Sequence, residues 1–205
     1  MRVGYFATGV GPHLDIAKHL IASCQKHMPG VEICQLTDLT TPCLPGAKAI
    51  RSAGKVPMGI RRIKHYSKCE GDWLFLDTDV VFLKDVREVF DRVFDVALCD
   101  RVGTYMEGTQ YAQQQPYNFG VVFSRCPKYW EYLLPHMKKL SPELQRWGGE
   151  QILTCELANQ ALSEFSVCIL PSKYNFTPEK RGEDVSHASI IHGKGARKAW
   201  LADYA

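Results

Sequence analysis

The sequence predicts an α/β fold, and three observations carry that expectation. A short apolar segment, "RVGYFAT" (Arg2 to Thr8), reads as a strand and is followed by a Gly-rich turn and a helical pattern from about His13 to His27. After Pro29-Gly30, "VEICQL" (Val31 to Leu36) reads as a second strand, so strand, helix and strand fall at the spacing of a βαβ unit and the sheet begins parallel. With 45% hydrophobic residues in 205, the chain has enough apolar surface for one sizeable core, and a single domain over 1–205 is expected.

The elements follow in order. Ile16, Leu20 and Ile21 share one face of the first helix. Thr40 to Pro57 reads as a loop because Pro42, Pro45, Gly46, Gly54 and Pro57 punctuate it. A helix is expected from about Met58 to Cys69, then the apolar run "GDWLFLDTDVVFL" (Gly71 to Leu83) as a buried strand. "DVALC" (Asp95 to Cys99) is a further short strand. Asp100 to Pro116 is a long polar loop in which Tyr105, Tyr111 and Gln113 to Gln115 could form a lid, or simply a flexible surface. "YNFGVVFS" (Tyr117 to Ser124) reads as a strand. "PKYWEYLLPHMKKL" reads as a helix kinked or split by its internal proline, and "GGEQILTCELANQAL" as another helix. "FSVCIL", "KYNF" and "ASIIH" are short extended pieces, and the tail from about Gly195 closes with a helix. Trp73, Trp130 and Trp147 read as core or interface aromatics, with an acceptor groove as the alternative for Trp147.

Charge and cysteine usage exclude several classes. A net charge of +3 does not argue for nucleic acid or an anionic membrane as partner. None of the eight cysteines forms a C-x-x-C pair, which removes zinc knuckles and dithiol redox motifs; buried, reduced thiols in a reducing cytosol are expected. No signal-peptide pattern and no apolar run of ~18 residues are present, so a cytoplasmic chain without a membrane span is expected.

The apolar run "GDWLFLDTDVVFL" carries two acids, Asp77 and Asp79, in its middle. Buried carboxylates need their charge offset. Along a strand the two would point the same way and could share a hard divalent cation through oxygen ligands. Solvated acids at a strand end are the bland alternative. Two enzyme motifs fit: the D-x-D-x-[TV] nucleophile of haloacid-dehalogenase-like phosphatases, with Asp77 attacking phosphorus, and the D-x-D of metal-dependent glycosyltransferases. The phosphatase motif ends the first strand, whereas here a complete βαβ unit and a further helix precede it.

A second cluster lies in "ASIIHGKGARKAW" (Ala188 to Trp200). His192 offers an imidazole that Mn2+ accepts beside oxygens. The glycines let backbone N–H groups approach phosphate, and Lys194, Arg197 and Lys198 add positive charge. An exposed basic tail with one surface His is the bland alternative.

Taken together, the chain resembles the family 8 retaining glycosyltransferases of the glycogenin and lipopolysaccharide-galactosyltransferase type. The residues that carry the resemblance are Asp77-Thr78-Asp79 as D-x-D, Asn118-Phe119-Gly120 as N-x-G, and Glu150-Gln151 in place of the family's D-Q. Two more are "LPSKYNF" (Leu170 to Phe176) and His192, Gly195, Lys198 and Trp200 as H-x-x-G-x-x-K-x-W, with Ala199 where the family has proline. The resemblance implies a GT-A fold, a Rossmann-like mixed sheet flanked by helices. It also implies a nucleotide-binding half over about 1–100 and an acceptor half with the metal and phosphate motif over about 101–205. It implies Mn2+ or Mg2+ held by Asp77, Asp79 and His192, and a nucleotide-diphosphate sugar, a UDP-sugar by expectation, as donor. Ala7, Thr8 and Gly9 would meet base and ribose. Thr78, Gly195, Lys198 and either Arg61 or Arg62 would meet the rest of the donor. Glu150, Gln151 and Asn118 would face sugar and acceptor, a glycan or other hydroxyl-bearing molecule. A non-catalytic nucleotide-sugar or glycan-binding domain is the third reading.

Overall fold

A computed structural model describes residues 1–104, 107–160 and 164–205 and, for residues 111 and 157–160, the backbone only. Tyr105 and the Tyr111 side chain, both read above as lid residues, lie outside the described residues.

The first strand, β1 (Arg2–Phe6), is followed by α1 (Pro12–His27) and β2 (Glu32–Thr37). β1 and β2 pair in parallel, as the βαβ spacing requires. The proline- and glycine-rich stretch after β2 is not all loop: Lys48–Arg51 forms an edge strand, β3, parallel to β2. Then come α2 (Met58–Tyr66), β4 (Trp73–Leu76), β5 (Val80–Phe82) and β6 (Val96–Asp100). The long polar segment contains a short helix, α3 (Gln110–Gln114), before β7 (Tyr117–Ser124). Helices α4 (Pro127–Lys139), α5 (Pro142–Arg146) and α6 (Gly149–Gln160) precede β8 (Val167–Leu170), β9 (Ile190–His192) and a 3-10 helix over Gly195–Asp203.

The main sheet has seven strands in the order β3-β2-β1-β4-β7-β6-β8. β7 alone among them runs against its neighbours β4 and β6. The run "GDWLFLDTDVVFL" is two strands rather than one: β4 lies in the main sheet, and β5 pairs with β9 in a separate two-stranded sheet. Both are apolar because both are buried on two faces. In β4, Leu74 and Leu76 pack against the α1 side, while Trp73 and Phe75 pack against α2 and α4. The two cores therefore meet through alternating residues of one strand.

Helix α4 continues through Pro135 instead of splitting. Proline removes the hydrogen bond to the carbonyl of Glu131, but both residues face solvent, so water satisfies that carbonyl. All eight cysteines are unpaired thiols, five of them buried, in agreement with their apolar sequence settings. No helix among the described residues is long and apolar enough to cross a membrane.

Candidate active site

The acids sit in the turn that joins the two sheets. The Asp77 N–H donates to the Gly120 carbonyl (2.9 Å), which extends the β4–β7 pairing by one rung. The chain then turns through Thr78 and Asp79 into β5, where Val80 faces His192. Gly193 N–H donates to the Asp79 carbonyl (2.8 Å) and fixes that register. Antiparallel pairing with β9 thus delivers an imidazole from 113 residues downstream to the mouth of the turn.

One ligand atom each from Asp77, Asp79 and His192 lies within 4.8 Å of the other two. His192 Nε2 is 3.3 Å from Asp79 Oδ1 and 3.8 Å from Asp77 Oδ2. The other ring nitrogen, Nδ1, lies 2.8 Å from Asn175 Oδ1. Asn175 Nδ2 donates to the Asn118 carbonyl (3.4 Å), so its Oδ1 is the atom turned to the ring. Nδ1 accordingly carries the proton in the neutral imidazole, and the Nε2 lone pair points at the carboxylates. Three lone-pair donors converge with no proton of their own to share, and a divalent cation satisfies them. Adjacent ligands of an octahedral ion with ~2.1 Å bonds stand ~3 Å apart, close to the separations seen here. Gly120 makes room for this: a Cβ there would collide with the His192 ring and come within 3.0 Å of Asp77 Oδ2.

The surrounding charges are arranged unequally. Burial pushes the Asp79 carboxyl up, but the His192 ring, in its protonated form without metal, and the Lys198 ammonium, 2.9 Å from Oδ2, outweigh it and hold the group well below the usual carboxylate range. Arg62 reaches Asp77 (3.1 Å) with one guanidinium nitrogen and Glu150 (3.2 Å) with another. Burial opposes its charge, and the two carboxylates more than restore it. Lys194 is pushed down to about 7, first by burial and then by repulsion from Arg101.

A cleft of about 690 Å³ runs along the carboxyl ends of the parallel strands, where open α/β sheets take ligands. Ala7, Thr8 and His13 line one end, Asp77, Thr78, Asp79 and His192 the middle, and Asn118, Arg101 and Lys194 the far side; Gly195 and Lys198 also border it. An adjoining chamber of about 590 Å³ shares Arg62, Asp77, Trp147 and Gln151 and adds Glu150. Trp147, 74% exposed, stands between the two, whereas Trp73 and Trp130 are core residues. Gln151 Oε1 accepts from the Phe119 N–H (3.2 Å), its Nε2 donates to Gln115, and Asn118 Oδ1 accepts from the Gly120 N–H (3.1 Å).

Two expected residues stand apart from the cleft. Gly9 is turned away, its N–H on the Thr41 hydroxyl. Arg61 faces outward and donates to the Gly54 carbonyl, which leaves Arg62 as the arginine of α2 that enters the site. Three contributors went unassigned in the sequence: His13, Arg101 and Asn175 in its role as partner of His192. Only Asn175 had a signal, its place in the "LPSKYNF" stretch (Leu170 to Phe176) that carries part of the resemblance.

No protein-family model matches the chain, and no curated protein matches it in sequence. Solved structures do match in shape. The galactosyltransferase LgtC, in complex with donor and acceptor sugar analogs, superposes with TM-score 0.62 at 15% identity over 100% of this chain and 91% of its own. The apo-form glycosyltransferase GlyE of Streptococcus pneumoniae TIGR4 gives 0.65 at 17% identity, over 97% of this chain and 56% of its own. A glycosyltransferase involved in glycosylation of the major capsid of PBCV-1 gives 0.63 at 12% identity, over 100% and 99%. The chain has the GT-A fold. In this GT-A sheet the acid pair occupies the turn after β4, at the point where strand direction changes between β4 and β7.

Proposed function

We propose that the chain is a metal-dependent glycosyltransferase that moves a sugar from a UDP-sugar to a hydroxyl-bearing acceptor with retention at the anomeric carbon. The observation that carries the reading is the convergence of Asp77, Asp79 and the Nε2 lone pair of His192 on one point in the cleft of a GT-A fold. Those three residues would hold Mn2+ or Mg2+, which when bound supplies Lewis-acid stabilisation of the charge growing on a departing diphosphate.

The chain's own residues do the rest. Lys198 and the backbone at Gly195 add fixed positive field beside the diphosphate. Ala7, Thr8 and His13 form the wall for base and ribose, and Thr78 sits between the two acids. Arg62 binds the sugar end of the donor and ties Glu150 to Asp77, so helices α2 and α6 stay in register with the D-x-D turn. Asn118, Gln151 and Glu150 orient sugar and acceptor, and Trp147 offers a flat apolar surface for a pyranose ring. An amide is a weak nucleophile, and the Gln151 amide is already held by Phe119 and Gln115. A front-face route in which the leaving phosphate accepts the acceptor's proton is therefore favoured over a covalent intermediate.

The test is a thermal-shift and product-release screen of nucleotide sugars with and without MnCl2. A specific donor should raise the melting temperature only with metal and release its diphosphate. Undiminished turnover in excess chelator sinks the proposal. Trapping of beryllium fluoride on Asp77 with phosphomonoester hydrolysis would favour a phosphohydrolase instead. Binding with neither donor hydrolysis nor transfer would favour a non-catalytic sugar-nucleotide domain.

A further inference from the structure

We propose that the face built by β3, the loops around it and the outer side of α2 docks on an anionic membrane surface. The inference does not depend on the glycosyltransferase reading. Between Asp38 and Glu70 lie 31 residues with seven Lys and Arg and no Asp or Glu. The chain totals are 25 Lys and Arg and 22 Asp and Glu, so outside this stretch acids outnumber cations, 22 to 18. The mild net charge of +3 is therefore the sum of a basic segment and a slightly acidic remainder.

The fold gathers that segment on one side. β3 is an edge strand of the main sheet, and the chain runs from it into α2. Arg51 donates to the carbonyls of Asp38 (2.7 Å) and Thr41 (3.0 Å), Arg61 donates to that of Gly54, and Ser52 meets His65. These bonds join the two loops that flank β3 to α2 as one continuous surface. Ile60 and Ile63 turn inward, which leaves Arg61, Lys64 and Lys68, spaced by three and four residues, on the other side. Two of the seven cations are engaged elsewhere: Arg62 enters the active site, and Lys48 pairs with Glu32 (2.8 Å). Arg51, Lys55, Arg61, Lys64 and Lys68 make no ion pair among the described residues. The bordering acids do not cancel them. Asp38 is turned onto the amides and hydroxyls of Thr40 and Thr41. Glu70 stands alone after Lys68, and Glu143 of the neighbouring α5 has Arg146 three residues on.

The same face exposes aliphatic side chains. The Gly9 N–H on the Thr41 hydroxyl brings the turn after β1 against the loop after β2. Val10 at that turn is 80% exposed, Leu39 in that loop 61%, and Ile50 of β3 36%. Single-stranded nucleic acid is gripped by cations with stacking aromatics, and a duplex has no use for exposed aliphatic tips. A bilayer takes both groups: anionic headgroups meet the ammonium and guanidinium ions, and Val10 and Leu39 enter the acyl boundary. Val10 lies between Thr8 and His13, so the docked face borders the cleft at its β1 end.

The experiment is flotation of the full chain with phosphatidylcholine vesicles, with and without about 30% phosphatidylglycerol, beside a binding titration with a short DNA duplex. The chain should float with the anionic vesicles only and be released as salt is raised. Replacing Lys55, Lys64 and Lys68 together by Gln should weaken binding about 100-fold, and replacing all three by Arg, which keeps the charge, should preserve it. Val10→Ser with Leu39→Ser should cost about tenfold and leave the salt dependence intact. Equal binding to neutral and anionic vesicles, binding to neither, or undiminished binding by the triple Gln variant overturns the docking face. Tighter binding to the DNA duplex than to vesicles, unaffected by the two serines, overturns the membrane assignment in favour of nucleic acid.

Discussion

Asp77 and Asp79 are two residues apart and do not live alike. Asp79 is 7% exposed and is gripped from the C-terminal segment, by Lys198 at 2.9 Å and His192 at 3.3 Å. Asp77 has a side chain 29% exposed and is gripped from the helical layer, by Arg62, which also holds Glu150. One acid depends on the last strand and the closing 3-10 helix, the other on α2 and α6. The ion site is therefore assembled from both halves of the chain and exists only when the whole fold does. The difference also assigns labour: Asp79 is a fixed anion whose charge burial alone would suppress, while Asp77 is the partly exposed acid that, through Arg62, is tied to the Glu150 side of the cleft.

The largest break in this comparison comes from Asp79. Asp79→Ala should lower donor turnover by about 10³ or more and abolish tight Mn2+ binding. Asp77→Ala should keep measurable Mn2+ affinity, since the buried acid and the imidazole remain. Equal losses, read by Mn2+ titration and by diphosphate release, would erase the distinction. Gly120→Ala attacks both acids through His192. The added methyl cannot coexist with the ring where it stands, so unfolding should cost about 1–3 kcal/mol less than in the parent and the ion site should open. Normal melting with normal Mn2+ binding would contradict that placement.

Asn175→Ala is a subtler probe. It removes the acceptor that fixes the Nδ1–H tautomer of His192 and should weaken Mn2+ binding by about 10–100-fold, with little change in melting temperature without metal. Asn175→Asp keeps an acceptor at that atom and should recover most of the affinity. A large stability loss from Asn175→Ala without metal would recast the residue as a packing element.

How much of this was legible in the sequence follows from where each signal resides. Periodicity is local, so β1, α1, β2, β7 and the acid pair could be read directly. The edge strand β3 could not: "KAIR" is short, half polar and set among prolines and glycines, and only its pairing with β2 makes it a strand. The run from Trp73 to Phe82 could not be divided either, because two buried strands in different sheets share one apolar pattern. At the site, residue types with strong chemistry stood out, as His192 and Lys198 did. His13 and Arg101 did not, because each is a single polar residue without a pattern, and strand order alone brings them to the cleft. Arg61 and Arg62 were indistinguishable until the rotation of α2 about its axis was set by the burial of Ile60 and Ile63.

The smallest predicted effect concerns what keeps α2, and so Arg62, in place. His65, one turn after Arg62, is buried beside Phe6, with Nε2 3.1 Å from the Thr37 carbonyl and 2.9 Å from the Ser52 hydroxyl. Burial is the main cause that pushes its pKa down to about 4 from the ordinary 6.5. Between those two values the unfolded chain binds the proton and the folded chain does not, so stability falls as pH drops from 6.5 towards 4 and is unaffected by this group above 6.5. The shift corresponds to at most about 3 kcal/mol at the acid end. His65→Gln should flatten the stability-against-pH curve in that window while leaving the acid sensitivity that comes from Asp79, whose carboxylate is lost only at lower pH. If the variant's curve parallels the parent's from pH 6.5 to 4, then α2 is not held by a neutral imidazole, and the Asp77 side of the site owes its position to the Arg62–Glu150 pair alone.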